Sequence, residues 1–223
     1  MKKVAVIHTT PVTIPTISAL IRERIEQVEI YNFLDDSMLP EMNAASKATE
    51  GIKYRLNSLL TMAATTKPDA ILCACSSIGG LIDEGKELLS IPVLRIDEPM
   101  ARKAVAVARK IGVAATLNST IAPTIALVRR KAEEIAAKVE IESKVILGVG
   151  SLLSEGKENE YDAIVSKELM DLLERNDVVI LAQASMARAL RVMEQKYHER
   201  LLTSPISGVE ALRDVLTDGN INS

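Results

Sequence analysis

Asp69-Ala-Ile-Leu-Cys-Ala-Cys75-Ser-Ser77 and Asp177-Val-Val-Ile-Leu-Ala-Gln183-Ala-Ser185 are two versions of one stretch. In each, an Asp precedes an apolar, strand-forming run, and small polar residues turn the chain out of it. The offset from 69 to 177 is 108 positions, and the opening of the chain repeats at nearly the same distance. Lys3-Val-Ala-Val-Ile-His-Thr9 leads to Thr13, as Lys110-Ile-Gly-Val-Ala-Ala-Thr116 leads to Thr120, and Pro15-Thr16 answers Pro123-Thr124. An internal period dictates architecture. This one is too long for a solenoid and is present twice. It predicts two similar α/β lobes facing each other, with Cys75 and Gln183 at equivalent points across a cleft.

Outward from these stretches, apolar β-branched runs alternate with segments of helical period, the pattern of βαβ units and mostly parallel sheets. Strands are predicted at Lys3–His8, Val28–Phe33, Asp69–Ala74, Pro92–Ile96, Ile111–Ala115, Lys144–Leu147, Asp177–Ala182 and Leu201–Thr203. Helices are predicted at Ile14–Gln27, Asn43–Thr65, Gly80–Leu89, Pro99–Lys110, Ala122–Lys138, Tyr161–Asn176, Met186–Tyr197 and Ser207–Leu216. The fold class is therefore α/β: two pseudo-symmetric lobes from an internal duplication, each a mostly parallel sheet flanked by helices. No long linker separates the halves. The last helix is expected to return to the first lobe, giving one lobe of 1–97 plus 205–223 and another of 98–204. The tail Thr217–Ser223 is expected to fray.

Composition excludes several function classes. A net charge of −3, with no Trp and one Phe, suits neither a basic nucleic-acid surface nor a base-stacking platform. No apolar run reaches the ~18–20 residues of a membrane-spanning helix. The start, Met1-Lys-Lys-Val-Ala-Val-Ile-His, lacks the apolar run and cleavage site of a signal peptide. Cys73 and Cys75, the two cysteines, are too close in sequence for disulfide geometry. A reducing cytoplasm is the expected location.

In parallel sheets, ligands bind beyond the carboxyl ends of the strands. Cys75-Ser76-Ser77-Ile-Gly79-Gly80 leaves a strand there, and its glycines are expected to permit a tight turn into a helix. Thiol and hydroxyls then lie near free N–H groups, a setting that favours a substrate carboxylate or a thiolate and can lower the thiol pKa from about 8.5. The structural alternative is core packing, the ordinary fate of a Cys in an apolar strand and the one expected for Cys73. Thr9, Thr10 and Thr13 follow the first strand, and Thr116, Asn118, Ser119 and Thr120 its repeat. They could hold a carboxylate or simply cap helices.

His8 is expected to face the cleft as a proton carrier. His198 reads as a solvated helix end, Asp35-Asp36-Ser37 as a turn, and Asp97-Glu98-Pro99 as a helix start. Two histidines and a Cys-x-Cys pair lack zinc-site spacing, so no metal is expected. Gly148-Val-Gly150-Ser lacks the third Gly of a dinucleotide loop, and Gly156-Lys157 lacks the Ser or Thr of a Walker loop.

Four segments together resemble the aspartate/glutamate/hydantoin racemase superfamily over nearly the whole chain. They are Ile71-Leu-Cys-Ala-Cys75-Ser-Ser-Ile-Gly79, Ile111-Gly-Val-Ala-Ala-Thr116-Leu-Asn-Ser-Thr120, Val179-Ile-Leu-Ala-Gln-Ala-Ser-Met186 and Ser204-Pro-Ile-Ser-Gly-Val-Glu210. The resemblance implies a cofactor-independent isomerase acting on a small carboxylate-bearing substrate, with dimers common and the choice between a homodimer and a higher homo-oligomer left open. It places Cys75 on the first of two catalytic cysteines and Ser76 and Ser77 on a carboxylate-holding pair. Thr116 and Thr120 fall on second-lobe threonines of the same role; Thr9, Thr10 and Ser185 complete the expected substrate contacts. Gln183 falls on the second cysteine. An amide has no titrating group near neutral pH, so a two-thiol racemase cannot run here. The arylmalonate decarboxylase branch also works with one thiol, though in the other lobe. One-thiol proton transfer, decarboxylation or lyase chemistry, nucleophilic chemistry by Cys75 with Gln183 steadying an oxyanion, and a binding protein without turnover are the readings left open.

Overall fold

The computed structural model describes residues 1–45 and 47–218; the end of the tail expected to fray, 219–223, lies outside them. The chain divides into two compact units, Met1–Pro99 with the residues from Pro205 onward, and Met100–Ser204. Its helices are α1 (Thr13–Arg24), α2 (Met38–Ala45), α3 (Glu50–Thr65), α4 (Gly79–Gly85), α5 (Glu98–Val107), α6 (Asn118–Glu134), α7 (Glu158–Arg175) and α8 (Ser204–Asp218).

The first unit is built on β1 (Lys2–His8), β2 (Val28–Leu34), β3 (Ala70–Cys73) and β4 (Val93–Arg95), ordered β2-β1-β3-β4 with every pair parallel. Val4–Ile7 and Ala70–Cys73 are apolar without a break because helices cover both faces. Alternation sorts their side chains. Val4, Val6, Ala70 and Leu72 pack with Ile17 and Ile21 of α1 and Val209, Leu212 and Leu216 of α8. Ala5, Ile7, Ile71 and Cys73 face Met38 and Met42 of α2, Ile52, Leu56 and Leu60 of α3, and Ile82 of α4.

The second unit repeats the wiring. Its strands β5 (Lys110–Ala115), β6 (Glu140–Val145), β7 (Val178–Leu181) and β8 (Leu201–Thr203) are ordered β6-β5-β7-β8, again all parallel. α5 and α6 cover one face and α7 the other. The duplication extends to single bonds. Asp69 accepts from the Lys3 N–H at 2.7 Å, and Asp177 from the Lys110 N–H at 2.8 Å. Ile7 pairs with Cys73 as Ala114 pairs with Leu181.

Three elements differ from the sequence expectation. The long helix over Asn43–Thr65 is two helices, because the Thr49 hydroxyl caps α3 by accepting from Ile52 N–H at 3.2 Å. The strand expected at Lys144–Leu147 lies at Glu140–Val145. It is an edge strand with Glu140, Glu142 and Lys144 among its six residues, so a search for apolar runs slides past it. The helix expected at Met186–Tyr197 is two runs of 3-10 helix, Ala184–Val192 and Gln195–Arg200. Its buried anchors Met186 and Ala189 are three residues apart, the 3-10 repeat.

Candidate active site

Cys75 stands two residues past the end of β3, in extended conformation, where a 3-10 turn (Ser76–Ile78) leads into α4. Register carries Thr9, two residues past Ile7, beside it. Four expected residues, Thr9, Cys75, Ser76 and Ser77, thus meet at the carboxyl edge of the first sheet. Cys75 is half-buried against the apolar layer under α3 and α4. Burial pushes its thiol above the ordinary value. The Thr9 hydroxyl and the backbone N–H groups of Ile78 and Ser77 act the other way, favouring the thiolate. The turn therefore has the donors expected of it, but burial outweighs them, and the expected net lowering does not occur. The Thr9 oxygen lies near the sulfur yet outside hydrogen-bond geometry, and is otherwise unpartnered. Cys73 is fully in the core, where burial drives its thiol far upward.

Beneath the turn is a buried ion cluster that sequence reasoning missed. Arg95, at the end of β4, donates to both Asp97 oxygens at 3.0 and 2.9 Å and to Asp83 of α4 at 2.6 Å. Gly79 is what makes room for it: a Cβ there would lie 2.3 Å from the Arg95 guanidinium carbon. Its φ of −58° is ordinary helix, so Gly79 supplies space and not the tight turn expected of it. The only signal in the sequence was Arg95-Ile-Asp97 at a strand end.

His8 departs from expectation. It shares the sheet face of Val4 and Val6, under α1, whereas Thr9 and Cys75 continue the opposite face. Its Nδ1 lies 2.9 Å from the Thr13 hydroxyl and its Nε2 3.0 Å from Asn32 Oδ1. Burial lowers its pKa, which the Asn32 bond opposes, so the ring is a neutral part of the core. Thr10 shapes the same turn: its hydroxyl accepts from Val12 N–H at 3.4 Å, and its carbonyl from the Thr13 hydroxyl at 3.2 Å. Asp35 binds Ser37 and Arg55, and His198 contacts the Met193 carbonyl at 3.2 Å, as a turn and a helix end would.

In the second unit Gln183 leaves β7 as Cys75 leaves β3. Its Oε1 accepts from Thr116 N–H at 2.6 Å, the Thr116 hydroxyl at 3.0 Å and Leu117 N–H at 3.2 Å. Backbone donors can face only the oxygen, which fixes the orientation of the amide. Thr116 therefore binds Gln183 and caps nothing; Leu117 precedes α6 without a side-chain cap. Thr120 is buried in the first turn of α6, and its carbonyl accepts from Thr124 at 2.8 Å. Ser185 is half-buried beside the hydroxyl of Tyr161. Tyr161, on α7, is 1% exposed and its hydroxyl has no partner within hydrogen-bond geometry, nor has the buried hydroxyl of Ser119. Leaving a buried hydroxyl unpaired costs about 1–3 kcal/mol, so such groups at strand ends point to a polar ligand.

A cavity of about 800 Å³ lies at the other, amino-terminal edge of the second sheet, between Val105–Arg109 and Ala136–Lys138. It contains neither thiol nor Gln183. Among the described residues no group of three His, Cys, Asp or Glu side chains could hold a metal ion, and no helix is long and apolar enough to cross a membrane.

Comparison with known proteins decides the family. A family model described as Asp/Glu/Hydantoin racemase matches residues 3–212. The chain belongs to that family. As a member of the Asp/Glu/hydantoin racemases it is an enzyme of the racemase and isomerase kind. Comparison with curated protein sequences gives no match. Among solved structures, this family member resembles a glutamate racemase from Thermus thermophilus, in complex with beta-chloro-D-alanine, at a TM-score of 0.79 and 18% identity. The likeness covers 100% of this chain and 83% of that one. An aspartate racemase from Picrophilus torridus matches at a TM-score of 0.70 and 15% identity, over 97% and 95% of the two chains. An allantoin racemase from Klebsiella pneumoniae matches at 0.69 and 16%, over 98% and 89%. At such identities the likeness is one of fold.

Proposed function

We propose that this racemase-family enzyme moves a proton at a carbon next to a carboxylate, in a small amino-acid-like substrate, with Cys75 giving or taking it. The observation that carries the reading is the setting of the Cys75 sulfur, beside the Ser77 and Ile78 N–H groups and the unpartnered Thr9 hydroxyl. A hydrogen next to a carboxylate is weakly acidic. Removing it needs donors already aimed at the oxygens where charge develops. Ser76 and Ser77 from one turn and Thr120 and Ser185 from its repeat are the side chains assigned to the substrate, and Thr116 serves it through Gln183, to which its N–H and hydroxyl are already given. Gln183 steadies and orients; it does not exchange protons. Two-thiol racemisation is outside this reading. Cys73 and Cys75 are both free thiols, which fits a reducing compartment such as the cytoplasm.

One observation favours a second reading. Burial keeps Cys75 as the thiol, the form that gives a proton. A thiol poised as an acid suits one-sided protonation after a decarboxylation or lyase step.

Proton NMR in deuterium oxide, with aspartate, glutamate, allantoin, a 5-substituted hydantoin, maleate and an arylmalonate, tests both. Cα deuteration abolished by Cys75→Ala is the result expected for proton transfer. Loss of malonate or olefinic signals with matching product growth favours the second reading. Exchange that survives in Cys75→Ala would overturn the role given to Cys75.

A further inference from the structure

Tyr161 is a buried residue whose polar atom no packing argument explains. Its ring belongs to the apolar layer of Ala114, Leu181 and Met186, which phenylalanine would fill equally well. Its hydroxyl has no partner, but the hydroxyls of Thr116 and Ser185 lie close to it, outside hydrogen-bond geometry.

Counting protons gives the link its direction. Thr116 has one hydroxyl proton and donates it to Gln183 Oε1, leaving only lone pairs for a further neighbour. Burial holds the Tyr161 phenol above its ordinary pKa, so it remains a donor. A bond between them therefore runs from Tyr161 to Thr116 and on to Gln183. The Gln183 nitrogen, with no hydrogen bond among the described residues, ends the chain.

We propose that Tyr161 is a positioning residue for Gln183: acting through the Thr116 hydroxyl, it holds and polarises the amide, so that the second-lobe turn presents a fixed N–H donor to an acceptor oxygen, a carboxylate or enolate, of the substrate. Hydrogen bonds in a chain strengthen one another, so a donation at one end sharpens the donor at the other. Only the identity of the acceptor rests on the function proposed above; the chain of donors stands without it.

The test has one arm that needs no substrate. In ¹⁵N-labelled protein the Gln183 side-chain amide is assigned by its absence from Gln183→Ala. In Tyr161→Phe its protons should move upfield while the protein stays folded. Thr116→Val should move the same signals. An unmoved amide in Tyr161→Phe overturns the proposal. With any substrate turned over by the wild type, Tyr161→Phe should lower kcat roughly two- to tenfold, the worth of one hydrogen bond. It should do nothing further in Gln183→Ala. Losses that multiply in the double variant would also overturn it. A wild type inactive on the whole panel counts against the proposed function, while the amide shift still decides the role of Tyr161.

Discussion

Burial, only partly opposed by the Asn32 bond, keeps the His8 ring below its ordinary pKa of 6.5, so the folded chain binds a proton there less readily than the unfolded chain. The stability this contributes is present above pH 6.5 and is lost as pH falls through the depressed folded value. His8→Gln should therefore flatten the fall in urea midpoint between pH 7.5 and about pH 5; an unchanged slope would remove His8 from the acid response. At this scale the sequence carried a good deal. Thr9, Cys75, Thr116 and Gln183 could be placed at strand ends because a strand end is a local signal. The face that His8 would take was not legible, since it depends on strand parity and on α1 docking over it. Tyr161 was invisible for the same reason: it lies in the first turn of α7 between Glu160 and Asp162, and only the seating of that helix turns its hydroxyl toward Thr116.

Helix α4 begins against a charged partner instead of an apolar one. Arg95 and Asp97 are both buried, and each is tolerated because the other is there. Gly79→Ala would push a methyl into that guanidinium and force the pair apart. Overpacking and partial breakage together should cost about 3 kcal/mol, read as a lowered denaturant midpoint, and should move the Cys75 turn. A variant as stable as the wild type would mean that α4 shifts freely. Elements with continuous apolar runs, such as β1, β3 and β7, were placed within a residue or two. Those missed, β6 and the 3-10 runs after Gln183, are ruled by edge solvation and close packing, which leave only a weak periodic trace.

Both units have the same strand order and the same Asp-to-backbone anchor, yet they close differently. The second is made from one stretch of chain, whereas the first needs α8, held close to Ile96 at Gly208, where a Cβ would lie 2.5 Å from the Ile96 carbonyl oxygen. Val209, Leu212 and Leu216 each contribute roughly 1.5–3 kcal/mol by burial, together comparable with the whole stability of a domain. Ending the chain after Ser204 should abolish cooperative folding of the first unit, seen as loss of its melting transition; an unchanged transition would show that α8 is dispensable. The repeat itself was plain in the sequence from Asp69 and Asp177. The dependence of β1 on a helix some two hundred residues later was legible only as an expectation about where the last helix would go.

That dependence has a consequence for the nascent chain. On a ribosome, β1 to β4 emerge first, but the cover over Val4 and Val6 stays incomplete until α8 clears the exit tunnel, after the whole of Met100–Ser204 has been made. The half synthesised first is the half finished last, and through most of translation its exposed sheet face is the surface a chaperone would have to guard.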